Sequence, residues 1–425
     1  MTRSDPALAH MMSTHSIAEI SLAQALPPWW PYYIPALAFA FCFGACVGSF
    51  INVVVFRLPA GISIISPPSR CPTCGARLTW RENLPILGWL LLRGRCKYCE
   101  ARISPQYMIV ELFMAILFLV IVWLLYVPAT AQPWECTWFG PWWHRNGVWT
   151  LPALFTLLVL LASLTAMTII DARTFTIPIE ISAVATIVAF TAWFVQALLP
   201  LRLSTEQAWP IPLVNSNWFF IACGGLLGLL ISYILLRRGI LRPSFIDYDE
   251  YVKDDEPLAD YPHGRREMLV ELLYLVPCIV LALAGWFVAR SLGPVQLPLL
   301  LQAMGATFMG YLIGGAVVWT VRILGTFLFG REAMGLGDVH LLAAVGAVLG
   351  WRDPLLIFFS AAFVGLGWWV LSMPLKLVFK KLRRELPYGP HLAVATLLVL
   401  LLQSPPFAGV WSMAMAYLHP ILPCP

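Results

Sequence analysis

Apolar residues run along this chain in long continuous stretches, without the alternation of a half-buried strand or the single stripe of a surface helix. A membrane-crossing helix takes about 20 mainly apolar residues. Ten stretches meet or approach that length: 33–56, 106–127, 151–170, 179–199, 217–236, 268–289, 299–328, 338–351, 354–375 and 389–403. The eighth is short and ends at Trp351, a residue suited to the membrane interface. Residues 407–422, bounded by Pro405, Pro406 and Pro420, read as one more short interfacial segment. The pattern predicts an all-α polytopic membrane protein of about ten transmembrane helices.

Composition narrows the class further. Of 425 residues 60% are apolar and 12% charged, against about 25% charged in a soluble domain. That excludes a string of soluble domains, a disordered chain, a nucleic-acid-binding surface and a disulfide-stapled secreted domain. The bilayer is the expected partner. No basic segment leads directly into an apolar run at the N-terminus, so no cleaved signal peptide is expected.

Net charge is only +5, so placement matters more than total. Eight basic residues lie between Arg57 and Arg102 against two acids, Glu82 and Glu100, and Lys376, Lys380, Lys381, Arg383 and Arg384 cluster in 376–388. Basic loops stay on the cytoplasmic side. With ten spans and an external N-terminus, every strongly basic loop falls on that side.

The chain then divides into an external segment 1–32 and two spans (33–127) enclosing a cytoplasmic loop (57–105). An external Trp-rich loop (128–150) and two further spans (151–199) follow. A helix pair with an acidic cytoplasmic loop at 237–267 occupies 200–298, and the remaining spans fill 299–425.

The first cytoplasmic loop carries Cys71-Pro-Thr-Cys74 and Cys96-Lys-Tyr-Cys99. Two Cys-x-x-Cys pairs at this spacing suit a structural zinc site, each tight turn supplying two thiolates of a tetrahedron. Gly75 suits the positive φ of such a turn. Zinc here would staple a loop too poor in core to fold alone. Reduced thiols or a redox pair are the alternatives, although nothing nearby resembles a thioredoxin unit.

Two acids stand out, because ionisable residues at membrane depth are costly and mark functional sites. Asp171 ends the third span and Asp338 begins the eighth, in Met334-Gly335-Leu336-Gly337-Asp338-Val339-His340. The topology, drawn from Lys and Arg alone, puts both at the cytoplasmic face. Gly335 and Gly337 would permit close backbone approach and unwind the helix start. Two adjacent carboxylates can share a proton, one activating water and the other polarising a carbonyl. Alternatively, Asp171 pairs with Arg173 and Asp338 caps a helix. Spacing does not decide whether residues 167 positions apart meet.

Four blocks resemble the prepilin leader peptidases, the membrane aspartic proteases of type IV pilus and type II secretion systems. They are Gly48-Ser49-Phe50-Ile51-Asn52 through Arg57-Leu58-Pro59; the cysteine loop with Glu82-Asn83-Leu84-Pro85; Asp171 through Ile177-Pro178; and Gly335-Leu336-Gly337-Asp338 with Leu341 to Ala347. Leu386-Pro387-Tyr388-Gly389-Pro390 is similar to the family's last loop. The resemblance implies cleavage of the basic leader of prepilins or pseudopilins at the cytoplasmic face of the bacterial inner membrane. It also implies, for many members, methylation of the new N-terminus with S-adenosylmethionine. It carries catalysis to Asp171 and Asp338 and zinc binding to Cys71, Cys74, Cys96 and Cys99. No glycine-rich nucleotide fingerprint follows a predicted strand, so the S-adenosylmethionine site and the oligomeric state stay unassigned.

Two positions depart from the family pattern. Ile179 and Glu180 follow Ile-Pro where an acid or amide is usual, and His340 stands where lysine is usual. Segment 200–298 exceeds the usual eight spans. Its acids, Asp247 to Asp260, are either a solvated surface or an attractor for a basic leader.

Glu111 in the second span is a supporting candidate, with snorkelling towards Arg102 as the alternative. Asn52 and Arg57 are expected to hold the first span to the zinc loop or to contact substrate. Glu271 is expected at the interface, and Cys42, Cys46, Cys223 and Cys278 as small buried apolar residues.

Other readings are a presenilin-like intramembrane protease, a proton-coupled transporter and a non-catalytic pilus assembly protein. The cysteine loop argues against the first, and the lack of inverted repeats and of midplane acids against the second. The third would tolerate loss of either aspartate.

Overall fold

A computed structural model describes residues 33–126, 138–139, 142–199, 209–247, 251, 261–378, 387–404 and 407. The expected segments 1–32 and 407–422, most of the basic 376–388 loop and the acids Asp249 to Asp260 lie outside them or nearly so.

The described chain is almost wholly helical: α1 Ile34–Arg57, α2 Leu87–Leu91, α3 Gln106–Tyr126, α4 Trp142–Asn146, α5 Leu151–Thr174, α6 Ile179–Leu198, α7 Ser216–Arg237, α8 Gly264–Leu292, α9 Leu299–Phe329, α10 Leu336–Leu349, α11 Asp353–Val378 and α12 Tyr388–Leu402. Among the described residues eight helices are long and apolar enough to cross a membrane, and α10 and α12 are shorter apolar helices. Each expected span is present within a few residues of its expected ends.

The arrangement centres on α10. Its 14 residues give a length of about 21 Å. From Asp338 to Leu349 almost every side chain is buried, enclosed by α5, α6, α9, α11 and α12. It touches protein where a lipid-facing span would touch acyl chains.

Small residues bring α9 and α10 together, since lipid offers apolar helices no hydrophobic reason to associate and close packing must hold them. A Cβ on Gly310 would fall 2.0 Å from the Gly346 carbonyl oxygen, and the reverse contact is the same. Helices α7 and α8 form a second close pair.

Three expectations fail. The described tryptophans of the 128–150 loop are not all interfacial. Trp138, Trp142 and Trp143 are buried and pack edge-on or stacked with Trp193 and Trp209, ring centroids 5.0 to 6.0 Å apart. The Trp193 indole donates to the Val348 carbonyl at 3.2 Å. The cluster thus closes the end of α10 opposite Asp338, because large rings bury more surface against one another than at a headgroup layer. Cys42 and Cys46 are exposed, and Cys223 and Cys278 half-buried, since thiols need no partner on an apolar-facing helix surface. Glu271 is buried in an ion pair described below.

Candidate active site and metal centre

The helix carrying Asp171 ends one turn later, at Thr174. Phe175 adopts a left-handed φ of 56°, and its N–H closes on the Asp171 carbonyl at 2.9 Å. The chain then turns through Thr176 and Ile177 into α6. Asp338 is the third residue of α10, where backbone N–H groups point outward. Its own N–H donates to the Gly335 carbonyl at 3.3 Å.

Both acids are buried, feel each other's charge and line one cleft of about 570 Å³. Phe175, Thr176, Ile177, Glu332 to Gly337, Pro387 and Tyr388 complete it. Among the described residues the cleft has no lysine, arginine or histidine in its wall.

One of the two local alternatives, the pairing of Asp171 with Arg173, fails. Arg173 donates to the Gln106 side chain at 2.7 Å, outside the cleft lining. Asp338 stands in the first turn of α10, as a capping acid would, yet its Oδ1 has no hydrogen-bond partner among the described residues. A buried carboxylate oxygen beside a second carboxylate can accept from a water, or, once protonated, donate to a substrate carbonyl.

Two glycines admit this geometry. A Cβ on Gly389 would lie 2.5 Å from Asp171 Oδ2, so its bare backbone packs directly against that carboxylate. A Cβ on Gly337 would strike Ile177 Cβ at 2.7 Å. Gly335 plays a smaller part than its motif suggests. Its φ is −70°, α10 starts regularly beside it, and a Cβ there would make ordinary contact with Asp338 Oδ2 at 3.5 Å.

Glu111, Asn52 and Arg57 lie apart from the acid cleft. Glu111 is buried in α3 and accepts the Ile86 N–H at 2.7 Å; it does not snorkel towards Arg102. Asn52 donates to the Tyr107 carbonyl at 3.0 Å, and Arg57 to the Ser63 carbonyl at 3.1 Å. All three fasten the ends and middle of the cysteine loop to α1 and α3. Glu180 is exposed and His340 half-buried.

The four cysteine sulfurs of that loop lie within 4.8 Å of one another, and Cys71 and Cys99 are 3.8 Å apart. A tetrahedron with Zn–S bonds of about 2.3 Å spaces its sulfurs by about 3.8 Å, so the donor set fits zinc. The two halves repeat each other. Arg70 bridges Arg77 and Arg95 bridges Arg102, while Gly75 and Glu100 hold the same turn at φ 72° and 56°. The N–H groups of Cys74 and Thr73 pull the Cys71 thiol down to about 6, towards the thiolate a metal takes.

Arg322, Glu271 and Glu332 were missed as site residues. Arg322 is buried in α9 and pairs with Glu271 of α8 at 2.9 Å and with Glu332 of the cleft wall at 2.5 Å. The signal was present: a charge inside a span is the feature that singled out the two aspartates.

Known proteins place this arrangement. Residues 42–125 match the Bacterial Peptidase A24 N-terminal domain and residues 269–370 the Type IV leader peptidase family. A prepilin leader peptidase/N-methyltransferase of Aeromonas hydrophila is 26% identical over 410 residues, 90% of this chain and 94% of that one. One from Myxococcus xanthus is 52% identical over 88 residues, 20% of this chain and 26% of the relative, and one from Vibrio cholerae 44% over 86 residues, 18% and 34%. The chain thus spans nearly all of the first relative's length and about a quarter to a third of the other two in these matches. No solved structure matches. The class is a polytopic membrane aspartic peptidase. Both family matches and the named relatives support a prepilin peptidase. Asp171 lies between the two matched segments, so its assignment rests on the cleft.

Proposed function

We propose that the protein cleaves the basic leader of type IV prepilins or pseudopilins at the cytoplasmic face of the bacterial inner membrane, with Asp171 and Asp338 as the catalytic pair. The observation that carries this is the cleft holding both acids with no cation in its described wall. Two carboxylates so placed cannot both ionise cheaply and hold one proton between them. The ionised one takes a proton from water as it attacks the scissile carbonyl, and the protonated one donates to the developing oxyanion. The first then returns a proton to the leaving amine. Because the pair titrates as a unit, general base and general acid are roles of the pair.

The basic loops at 57–105 and 376–388 support the cytoplasmic orientation. Cys71, Cys74, Cys96 and Cys99 would hold a structural zinc ion, whose chemistry is to cross-link the two turns. The names of the relatives support a second activity, S-adenosylmethionine-dependent methylation of the new N-terminus.

The test is cleavage of a prepilin by the purified protein in detergent. Asp171→Asn and Asp338→Asn, both folded, are each expected to lose roughly 10⁴-fold or more in rate, as members of one catalytic unit do. Mass spectrometry of the product with and without S-adenosylmethionine reads the methyl group. Cleavage near the wild-type rate by either variant would overturn the pair.

A further inference from the structure

Behind the cleft wall sits one buried guanidinium with two different partners. Arg322 projects from α9. On one side its Nε and Nη2 fork onto the Glu271 carboxylate, at 2.9 to 3.1 Å. The Trp319 indole holds that carboxylate from the same helix at 2.7 Å. On the other side Nη1 donates to Glu332 at 2.5 Å and to the Met334 carbonyl. The Phe245 ring lies 5.3 Å from the guanidinium centre. Both Glu332 and Met334 line the cleft, and Met334 directly precedes the cap of α10.

We infer that Arg322 is a positioning residue of the peptidase site, and that Glu271 is the counter-ion that lets it act there. The inference rests on the aspartate-pair reading.

The two arms of Arg322 differ in what they touch. Glu271 is almost wholly enclosed, whereas the Glu332 side chain is 37% exposed to the cleft. A pair serving only to dock α8 on α9 would need the first arm alone. The second arm seizes a carbonyl of the segment that delivers Asp338.

Other ties of this segment are the Gly330 N–H on the Thr326 carbonyl at 2.9 Å, the Ala333 N–H on the Thr326 hydroxyl at 3.1 Å and the Asp338 N–H on the Gly335 carbonyl at 3.3 Å. None of these three holds Met334. The guanidinium suits the task because its planar fork holds a carboxylate with one edge and leaves Nη1 free for the carbonyl. An unpaired guanidinium would not stay at this depth. The helix pair before α9 is therefore part of the site, since Glu271 belongs to it.

The test uses the full-length protein in detergent with Arg322→Gln, Arg322→Lys and Glu271→Gln. Cleavage is measured per folded molecule, counted from the monodisperse fraction, with kcat and KM resolved. Hydrogen exchange of amides 331–338 is followed in parallel and needs no activity.

Arg322→Gln is expected to lower kcat at least about 30-fold with KM within about threefold, as an ångström-scale shift of a reacting group does. Amides 331–338 should exchange at least about tenfold faster. Arg322→Lys keeps the charge without the fork and should fall between, with slower exchange than Arg322→Gln. Glu271→Gln should show the same signs more weakly.

Unchanged exchange at 331–338 with kcat within threefold, whatever the loss of thermal stability, would reduce the pair to a structural staple and overturn the inference. If Arg322→Gln does not fold, Arg322→Lys decides: wild-type kcat and wild-type exchange overturn it. A wild type that cuts no prepilin sinks the proposed function and leaves the exchange result to judge the clamp.

Discussion

Two acid clusters meet at the segment 332–338, one through Asp338 and the other through Glu332, and they are built on opposite terms. In one, Asp171 and Asp338 share a cleft with no described cation in its wall. In the other, Glu271 and Glu332 grip Arg322 from two sides. Asp171, Asp338 and Glu271 are all buried, but their partners differ. A buried carboxylate matched by a forked cation has its charge answered and does nothing further. A buried carboxylate facing only another carboxylate must share a proton or bind something. The difference teaches that depth alone does not mark a catalytic acid in a membrane protein. The charges around it do.

The first way to break this comparison uses stability in place of rate. Asp171→Asn and Asp338→Asn each remove one of two carboxyl groups that crowd each other in a cleft with no cation in its described wall, so both are expected to melt at or above the wild-type temperature while losing roughly 10⁴-fold in cleavage. Glu271→Leu should do the opposite to the fold. It leaves Arg322 buried beside Glu332 alone, and breaking such a pair costs about 3–5 kcal/mol. Thermal melting in detergent compares the three. Aspartate variants that melt as low as Glu271→Leu would mean that both clusters are structural.

How much of this was legible in the chain follows from the same distinction. Span lengths are set by bilayer thickness, so apolar run length alone located the helices to within a few residues. The four cysteines were legible because metal geometry demands short-range pairs. The two acids were visible as costly singletons. What was not visible was partnership. Glu271 and Arg322 are 51 positions apart, and nothing in either local sequence announces the other, so Glu271 read as interfacial. The burial of Trp138, Trp142 and Trp143 was hidden for the same reason: a tryptophan near a span end looks alike whether it meets headgroups or four other indoles. Asp338 was placed correctly near a helix start, but the open Oδ1 is a property of the assembled cleft.

A middle-sized effect sharpens the geometry of the unpaired cluster. Gly389→Ala would drive a methyl group to 2.5 Å from Asp171 Oδ2. Something must move, and the carboxylate is the softer side. A shift of about 1 Å costs about 10²-fold, so kcat should fall between roughly 10- and 100-fold. Gly335→Ala, whose methyl group would meet its nearest atom at 3.5 Å, should stay within about twofold. Equal effects at the two glycines would mean that the Asp171 position is not what Gly389 protects.

Glu111 is a further buried acid, and it tests whether the contrast has an intermediate case. It has neither a cation nor a second carboxylate. Its Oε2 takes the Ile86 N–H at 2.7 Å, with the Ser49 hydroxyl as a further donor. Ile86 sits at φ 63°, a conformation that costs a branched residue about 1–3 kcal/mol and persists only where neighbours impose it. Glu111 is therefore a tether that holds the inner turn of the cysteine loop against α3. A glutamine keeps an acceptor oxygen of the same reach and loses only the charge. Hydrogen bonds to a charged group exceed neutral ones by about 1 kcal/mol, so Glu111→Gln should lower stability by about that much and leave cleavage within about threefold. Glu111→Leu removes the acceptor and should release the Ile86 amide to rapid hydrogen exchange. A Glu111→Gln variant that folds normally but loses cleavage by 10²-fold or more would move Glu111 into the chemistry. It would also show that an acid satisfied by neutral donors can serve the reaction, which the contrast between the two clusters forbids.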